Sequence, residues 1–411
     1  MTLSSSVHLI HLKETIMLNI SKNKFYTGKA SPIFNQSAAR DARDFHKQIE
    51  GYQATPLVSL PNLAEKLGVK SILIKDESKR FGLNAFKVLG GSYALGKLLA
   101  EHLGEDISDI NLKTVASKLD KPLVFTTATA GNHGTGVAWA AREMGQKAVV
   151  YMPKGSSLAS VTRIKGLGAE CIVTDVNYDD TVRLANQTAQ ENDWMLVQDT
   201  AWEGYEKIPT WISQGYMTMA DEAIEQAAEM PDGLPTHVFL QAGVGAMAGG
   251  ILGYLVDKLG SENVTTIIAE PSAADCILRS GSSSDGSIVN VSGDLNSIMA
   301  GLACGEPNPI TWPILRDSSD LFVSVDDSVA ATGMRILGNP LNGDQAITSG
   351  ESGAITTGLL YLLASHEEGK SIAEEIGLDK DAVVMIFSTE GDTNADRYRQ
   401  VTWEGALPLS R

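Results

Sequence analysis

Cysteine is scarce in this chain of 411 residues: Cys171, Cys276 and Cys304 are the only three, and none belongs to a Cys-x-x-Cys pair. That is too few for a secreted disulfide framework, and no metal site is expected. Basic charge is also short, with 33 Lys and Arg against 50 Asp and Glu and a net charge of −17. No basic stripe offsets this excess, so the chain would repel a phosphate backbone and no nucleic-acid partner is expected. No repeat of fixed period occurs, and low complexity is confined to SGSSSDGS at 280–287, which reads as an exposed loop. The opening MTLSSSVHLIHLKETIMLNI lacks a basic segment followed by a sustained apolar one, so no secretory signal is read and a cytoplasmic location is expected. Residues 1–22 read as an N-terminal extension, with Met17 an alternative start.

One uncharged run is long enough to span a bilayer: the nineteen residues from Val238 to Val256. Its five glycines, its glutamine and the lack of a second such run favour a buried strand, a glycine loop and a helix, so no membrane partner is expected.

From about residue 69 short β-branched runs alternate with longer amphipathic ones. Strands are expected at Val69–Lys75, Leu123–Thr126, Ala148–Met152, Cys171–Thr174, Met195–Gln198, His237–Gln241, Thr265–Ala269 and Ala382–Phe387. Helices are expected at Ala85–His102, Asn132–Met144, Asp179–Glu191, Thr210–Glu229 and Ala246–Lys258. This alternation predicts the α/β class, with parallel strands joined by crossover helices. The length suggests two domains.

Four segments sit where a strand hands over to a helix, the place where ligands bind in open α/β sheets. In KDESKRFGLNAFK, Lys87 is flanked by Phe86, Val88 and Leu89. Burial there would lower the lysine pKa and favour a neutral, nucleophilic amine; taken alone, however, Lys87 reads first as a surface lysine of an amphipathic helix. In TTATAGNHG, hydroxyls and backbone N–H groups at a helix N-terminus suit a carboxylate, or form a simple cap. In LQAGVGAMAGG, glycines let amides close on a phosphate; the same string reads as a GxGxxA dinucleotide fingerprint, with Glu270 in the place of the ribose-binding acid. In FSTEGDTN, hydroxyls after a strand suit a heterocycle nitrogen, or form a polar turn.

Taken in order, NAFK, TAGNHG, the glycine loop and STEG resemble the fold type II pyridoxal 5′-phosphate (PLP) enzymes. Longer strings, among them GAECIVTD, VQDTAWEGYEKIPTWI and IMAGLACGEPNP, resemble the diaminopropionate ammonia-lyases from about Asn23 to Trp403. The resemblance implies two three-layer α/β domains with PLP in the cleft between them. A small domain of residues 92–199 carries the TAGNHG loop, and a large one is built from 23–91 and 200–411. It also implies a homodimer acting on a small amino-acid substrate. Carried over residue by residue, Lys87 is similar to the lysine that binds PLP covalently and moves the Cα proton. Asn132 matches the residue facing the PLP phenolic oxygen, and Thr129, Ala130, Gly131 and His133 the loop receiving the substrate carboxylate. Gly243, Val244, Gly245, Ala246 and Met247 match the phosphate loop. Ser388 or Thr389 takes the place of the hydroxyl at the pyridine nitrogen. Asp199 matches an aspartate near the β-amino end of the substrate, and Cys276 and Cys304 match a pair able to form a disulfide.

Two positions depart from the family pattern. Ala130 stands where the lyases usually carry an aspartate thought to serve the D-enantiomer, and Thr135 where an arginine is common. Alanine has no proton to move, so the expected activity is PLP-dependent α,β-elimination of 2,3-diaminopropionate, biased to the L-isomer, giving pyruvate and two ammonia. The TAGNH string also occurs in L-serine and L-threonine dehydratases, which remain the alternative.

Overall fold

The computed structural model describes residues 18–129 and 131–409. Ala130 and the first seventeen residues of the N-terminal extension lie outside the described residues. The strands are β1 (Leu18–Lys22), β2 (Leu57–Ser59), β3 (Ser71–Asp76), β4 (Val124–Ala128), β5 (Lys147–Met152), β6 (Glu170–Val173), β7 (Met195–Leu196), β8 (His237–Gln241), β9 (Thr265–Pro271), β10 (Leu321–Val325) and β11 (Val383–Ser388). They form two sheets, ordered β1-β10-β9-β8-β11-β3-β2 and β6-β5-β4-β7. In the larger sheet the five central strands run parallel, while β1 and β2 close its edges antiparallel to β10 and β3. The smaller sheet is parallel throughout. The fold is mixed α/β, with two sheets and helices packed against them.

Alternate residues of the central strands feed two separate cores. Val238, Leu240, Leu73, Met385 and Phe387 pack with the helices Val88–Leu103, Lys207–Ala228 and Ala246–Leu259. Phe239, Ile72, Ile74, Val384 and Ile386 pack with the helices Asp327–Gly338 and Glu351–Ser365. Burial on both faces is why these strands read as continuous apolar runs. The long uncharged run splits into β8, a glycine turn and the helix Ala246–Leu259, and no helix of the described residues is long and apolar enough to cross a membrane.

The exit of β3 is fixed by charges rather than apolar packing. Lys75 pairs with Glu222 at 2.7 Å, and Arg80 pairs with both Glu77 and Glu222 at 2.8 Å, every side chain fully buried. Ions taken out of water persist only when each finds its partner. Here the cluster ties the segment after β3 to the helix Lys207–Ala228.

Candidate active site

Lys87 sits at the N-terminal cap of the helix Val88–Leu103, a short loop after the ion cluster. The backbone bends sharply on the way, with Phe81 at φ 48° and Asn84 at φ 61°, conformations an L-residue holds only when its surroundings over-determine them. Those surroundings are the segment after β11: Phe86 N–H donates to Thr389 O at 3.0 Å, Gly391 N–H to Asn84 O at 3.0 Å, and the Asn84 amide to Asp392 at 3.0 Å. The lysine and the STEG segment are thereby held as one unit.

Lys87 opens into a cavity that is continuous with solvent at its mouth. Asn132, Asp199, Gly243, Val244, Gly245, Ala246, Met247 and Thr389 also line it. The glycine loop leaves β8 and meets the first turn of the helix Ala246–Leu259, where backbone N–H groups have no intrahelical partner and the helix dipole is positive. Gly245 needs to be glycine, since its φ is +88° and a Cβ there would lie 2.8 Å from Leu315 Cδ1. Asn308 N–H donates to Val244 O at 2.7 Å and pins the turn.

The floor of the cavity is an ion pair. Lys87 Nζ lies 2.6 Å from Asp199 Oδ2, with 23% of the lysine side chain and 14% of the aspartate exposed. Burial works against the ammonium, but the adjacent Asp199 carboxylate outweighs it and raises the lysine above its ordinary pKa. This corrects the expectation of a neutral amine: desolvation is present, and a carboxylate 112 positions away in sequence reverses its effect. Burial likewise disfavours the Asp199 carboxylate, yet His133 and Lys87 hold it down at about 2. His133 lies behind Asp199, its Nδ1 3.8 Å from Oδ2 and its Nε2–H donating to Val197 O at 2.8 Å. Burial lowers its pKa against the pull of the Asp199 carboxylate, and its Nδ1 has no hydrogen-bond partner among the described residues.

The remaining expected residues divide. Thr389 faces the cavity and accepts from Gln241 Nε2 at 2.9 Å, whereas Ser388 is turned to the opposite face of β11 and donates to Ser349 Oγ at 2.8 Å. Thr129 Oγ1 accepts from Gly131 N–H at 3.0 Å, shaping the loop before the helix Asn132–Glu143; Thr129, Gly131 and His133 are not part of the cavity wall. Among the described residues no disulfide forms, and the Cys276 thiol points instead to Cys304 O at 3.4 Å. Glu270 is fully buried and accepts from Ile277 and Leu278 N–H, each at 2.8 Å. It caps a neighbouring helix and takes no part in the cavity, which removes the acid that the dinucleotide reading requires.

Sequence reasoning missed several wall residues. Glu390 accepts from Asn132 Nδ2 at 2.6 Å and from Ser352 N–H at 3.0 Å, joining the GNHG helix to the helix Glu351–Ser365. Gln241, Ser352 and Tyr216 also line the cavity, and each carries a buried polar atom without a protein partner among the described residues. A phosphate cradle, a lysine and a hydroxyl converging on one pocket fit a phosphorylated aromatic aldehyde.

Residues 49–388 match the family described as pyridoxal-phosphate dependent enzyme. The chain is 58% identical to diaminopropionate ammonia-lyase of Escherichia coli (strain K12) over 391 residues, covering 95% of this chain and 98% of that protein. This chain belongs to the diaminopropionate ammonia-lyases. A crystal structure of the E. coli lyase in complex with D-serine superimposes with a TM-score of 0.91 at 57% identity, covering 96% of this chain and 98% of that one. Another, in complex with an aminoacrylate-PLP azomethine reaction intermediate, gives 0.90 at 56% identity, with 96% and 99% covered. The lyase is thus a PLP-dependent carbon–nitrogen lyase. Lys87, Asn132, the glycine loop and Thr389 line the same cavity.

Proposed function

We propose that this ammonia-lyase eliminates the β-amino group of 2,3-diaminopropionate, with the L-isomer preferred, and releases pyruvate and two ammonia. The observation that carries the reading is the Lys87–Asp199 pair of 2.6 Å at the floor of a cavity walled by the glycine loop. PLP, when bound, supplies an electron sink for the bond broken at Cα. Lys87 holds the cofactor and then takes the Cα proton. Asp199, once the lysine charge is withdrawn, pairs with the substrate's β-ammonium and handles the proton as ammonia departs. Thr389, a neutral hydroxyl on the cavity wall, would hold the pyridine nitrogen; unlike a carboxylate it would not keep that nitrogen protonated, which favours elimination over transamination.

The L-preference rests on Ala130, whose side chain has no titratable proton where the family usually carries aspartate. The same reading includes a homodimer in the cytoplasm and a small domain over residues 92–199. The resemblance supports these, and for the domain so do the four strands between residues 124 and 196, which pair with one another. The test is coupled detection of pyruvate from 2,3-diaminopropionate by the PLP-loaded protein. Release that disappears in Lys87→Ala is expected; release that survives it contradicts the assignment.

A further inference from the structure

Within this reading of the cavity, we propose that Tyr216 is a substrate-binding, specificity-determining residue whose hydroxyl receives the β-ammonium of the diamino acid beside Asp199. Tyr216 lies in the middle of the helix Lys207–Ala228, is 1% exposed, and shares the cavity wall with Lys87 and Asp199. Its hydroxyl has no hydrogen-bond partner among the described residues. Buried polar groups are nearly always paired, and one left open toward a ligand cavity is accounted for by the ligand.

The phenol is held there by construction. A Cβ on Gly215 would lie 2.5 Å from Leu89 O, and one on Gly90 2.6 Å from Tyr216 Cε1. Glycine at both positions therefore lets the Tyr216 helix press against the helix that begins after Lys87. The Phe86 ring, 4.7 Å away between centroids, closes the other side. The ring has one well-packed position and its oxygen one direction to face.

The charged groups that act on the hydroxyl are Lys87 and Asp199, while burial keeps the phenol protonated at neutral pH. A phosphate has its own cradle at the glycine loop and the Asp199 carboxylate repels another anion, so the group received on the wall that Tyr216 and Asp199 share is the cationic β-substituent. An ammonium gives charge-assisted N–H donors to the carboxylate and the phenolic lone pair together; the hydroxyl of serine offers only neutral hydrogen bonds to the phenol. Tyr216 therefore favours an amine over a hydroxyl as the leaving group, and acts on binding more than on the proton transfer by Lys87.

The test is Tyr216→Phe, which removes only the oxygen, studied in the holoenzyme. For L-2,3-diaminopropionate kcat/KM is expected to fall about tenfold or more, chiefly through KM. For L-serine the change in kcat/KM, or in the inhibition constant where serine is not turned over, is expected to stay within about threefold. PLP affinity should be unchanged, and the Tm of the cofactor-free variant should not fall, since no hydrogen bond is lost. Equal losses for both substrates, weaker PLP binding, or a lowered Tm accompanied by those losses would overturn the proposal, because the oxygen would then serve the cofactor or the packing. A wild-type protein that releases no pyruvate from diaminopropionate defeats the functional reading. An active wild type with an unshifted amine-to-hydroxyl ratio in the variant defeats this inference alone.

Discussion

Replacing Asp199 by Asn should have opposite effects on cofactor capture and on turnover. At 2.6 Å and an effective dielectric of about 20, a pair of unit charges is worth about 6 kcal/mol. The lysine side chain is 23% exposed and the aspartate 14%, so solvent screening removes roughly half of this. The remaining stabilisation of the Lys87 ammonium is about 3 kcal/mol, equivalent to about two pKa units. Asn is isosteric and leaves the cavity intact, so the variant's lysine should titrate about two units lower. The sign follows from the neutral amine being the nucleophile. Below its pKa a lysine is one-tenth as often neutral for each unit of distance, so at fixed neutral pH the variant has up to about a hundredfold more reactive amine. Stopped-flow absorbance of cofactor-stripped protein mixed with PLP should show faster covalent capture in Asp199→Asn, with its pH profile displaced to lower pH. The same variant should lose about a hundredfold or more in kcat/KM for diaminopropionate, because the β-ammonium has lost its carboxylate. Capture at the wild-type rate with an unmoved profile would refute the view that Asp199 holds the lysine charged.

Three further outcomes follow from the geometry. Gly245→Ala should weaken PLP binding by about tenfold or more in a fluorescence titration, since φ +88° and the 2.8 Å approach to Leu315 both oppose a Cβ. Glu222→Ala, which leaves Lys75 and Arg80 to share Glu77 in a fully buried site, should cost about 3–5 kcal/mol in chemical denaturation. Burial pushes the Glu270 carboxyl up to about 8 from 4.5, so the folded chain keeps a proton that the unfolded chain releases. Stability should then decline as pH rises across that window, by up to about 1.4 kcal/mol per unit, and Glu270→Gln should flatten the slope.

The handovers from strand to loop to helix were legible because local chemistry dictates them. β8 and its glycine turn lie where the apolar run and the glycines place them, and Lys87 stands where a helix starts. Strands β1 and β2 were missed for a physical reason: each is a short edge strand whose alternation has little length in which to show. Strand β10, flanked by helices and fully buried, was also passed over. Choosing between Ser388 and Thr389 required the parity of β11. Val384, Ile386 and Ser388 face one core, while Met385 and Phe387 face the other with Thr389, and a one-residue shift inverts every side chain. Tyr216 was invisible because an aromatic in an apolar helix reads as core. The raised pKa of Lys87 was equally hidden, its cause lying on a segment that only the folded chain brings near.

The central claim is elimination driven by Lys87 on the L-face alone, and pyruvate release from the separated enantiomers of 2,3-diaminopropionate tests it most directly. The account predicts a kcat/KM for the L-isomer at least about tenfold above that for the D-isomer, with D-turnover rising in Ala130→Asp. Comparable turnover of both enantiomers by the unaltered protein would contradict it.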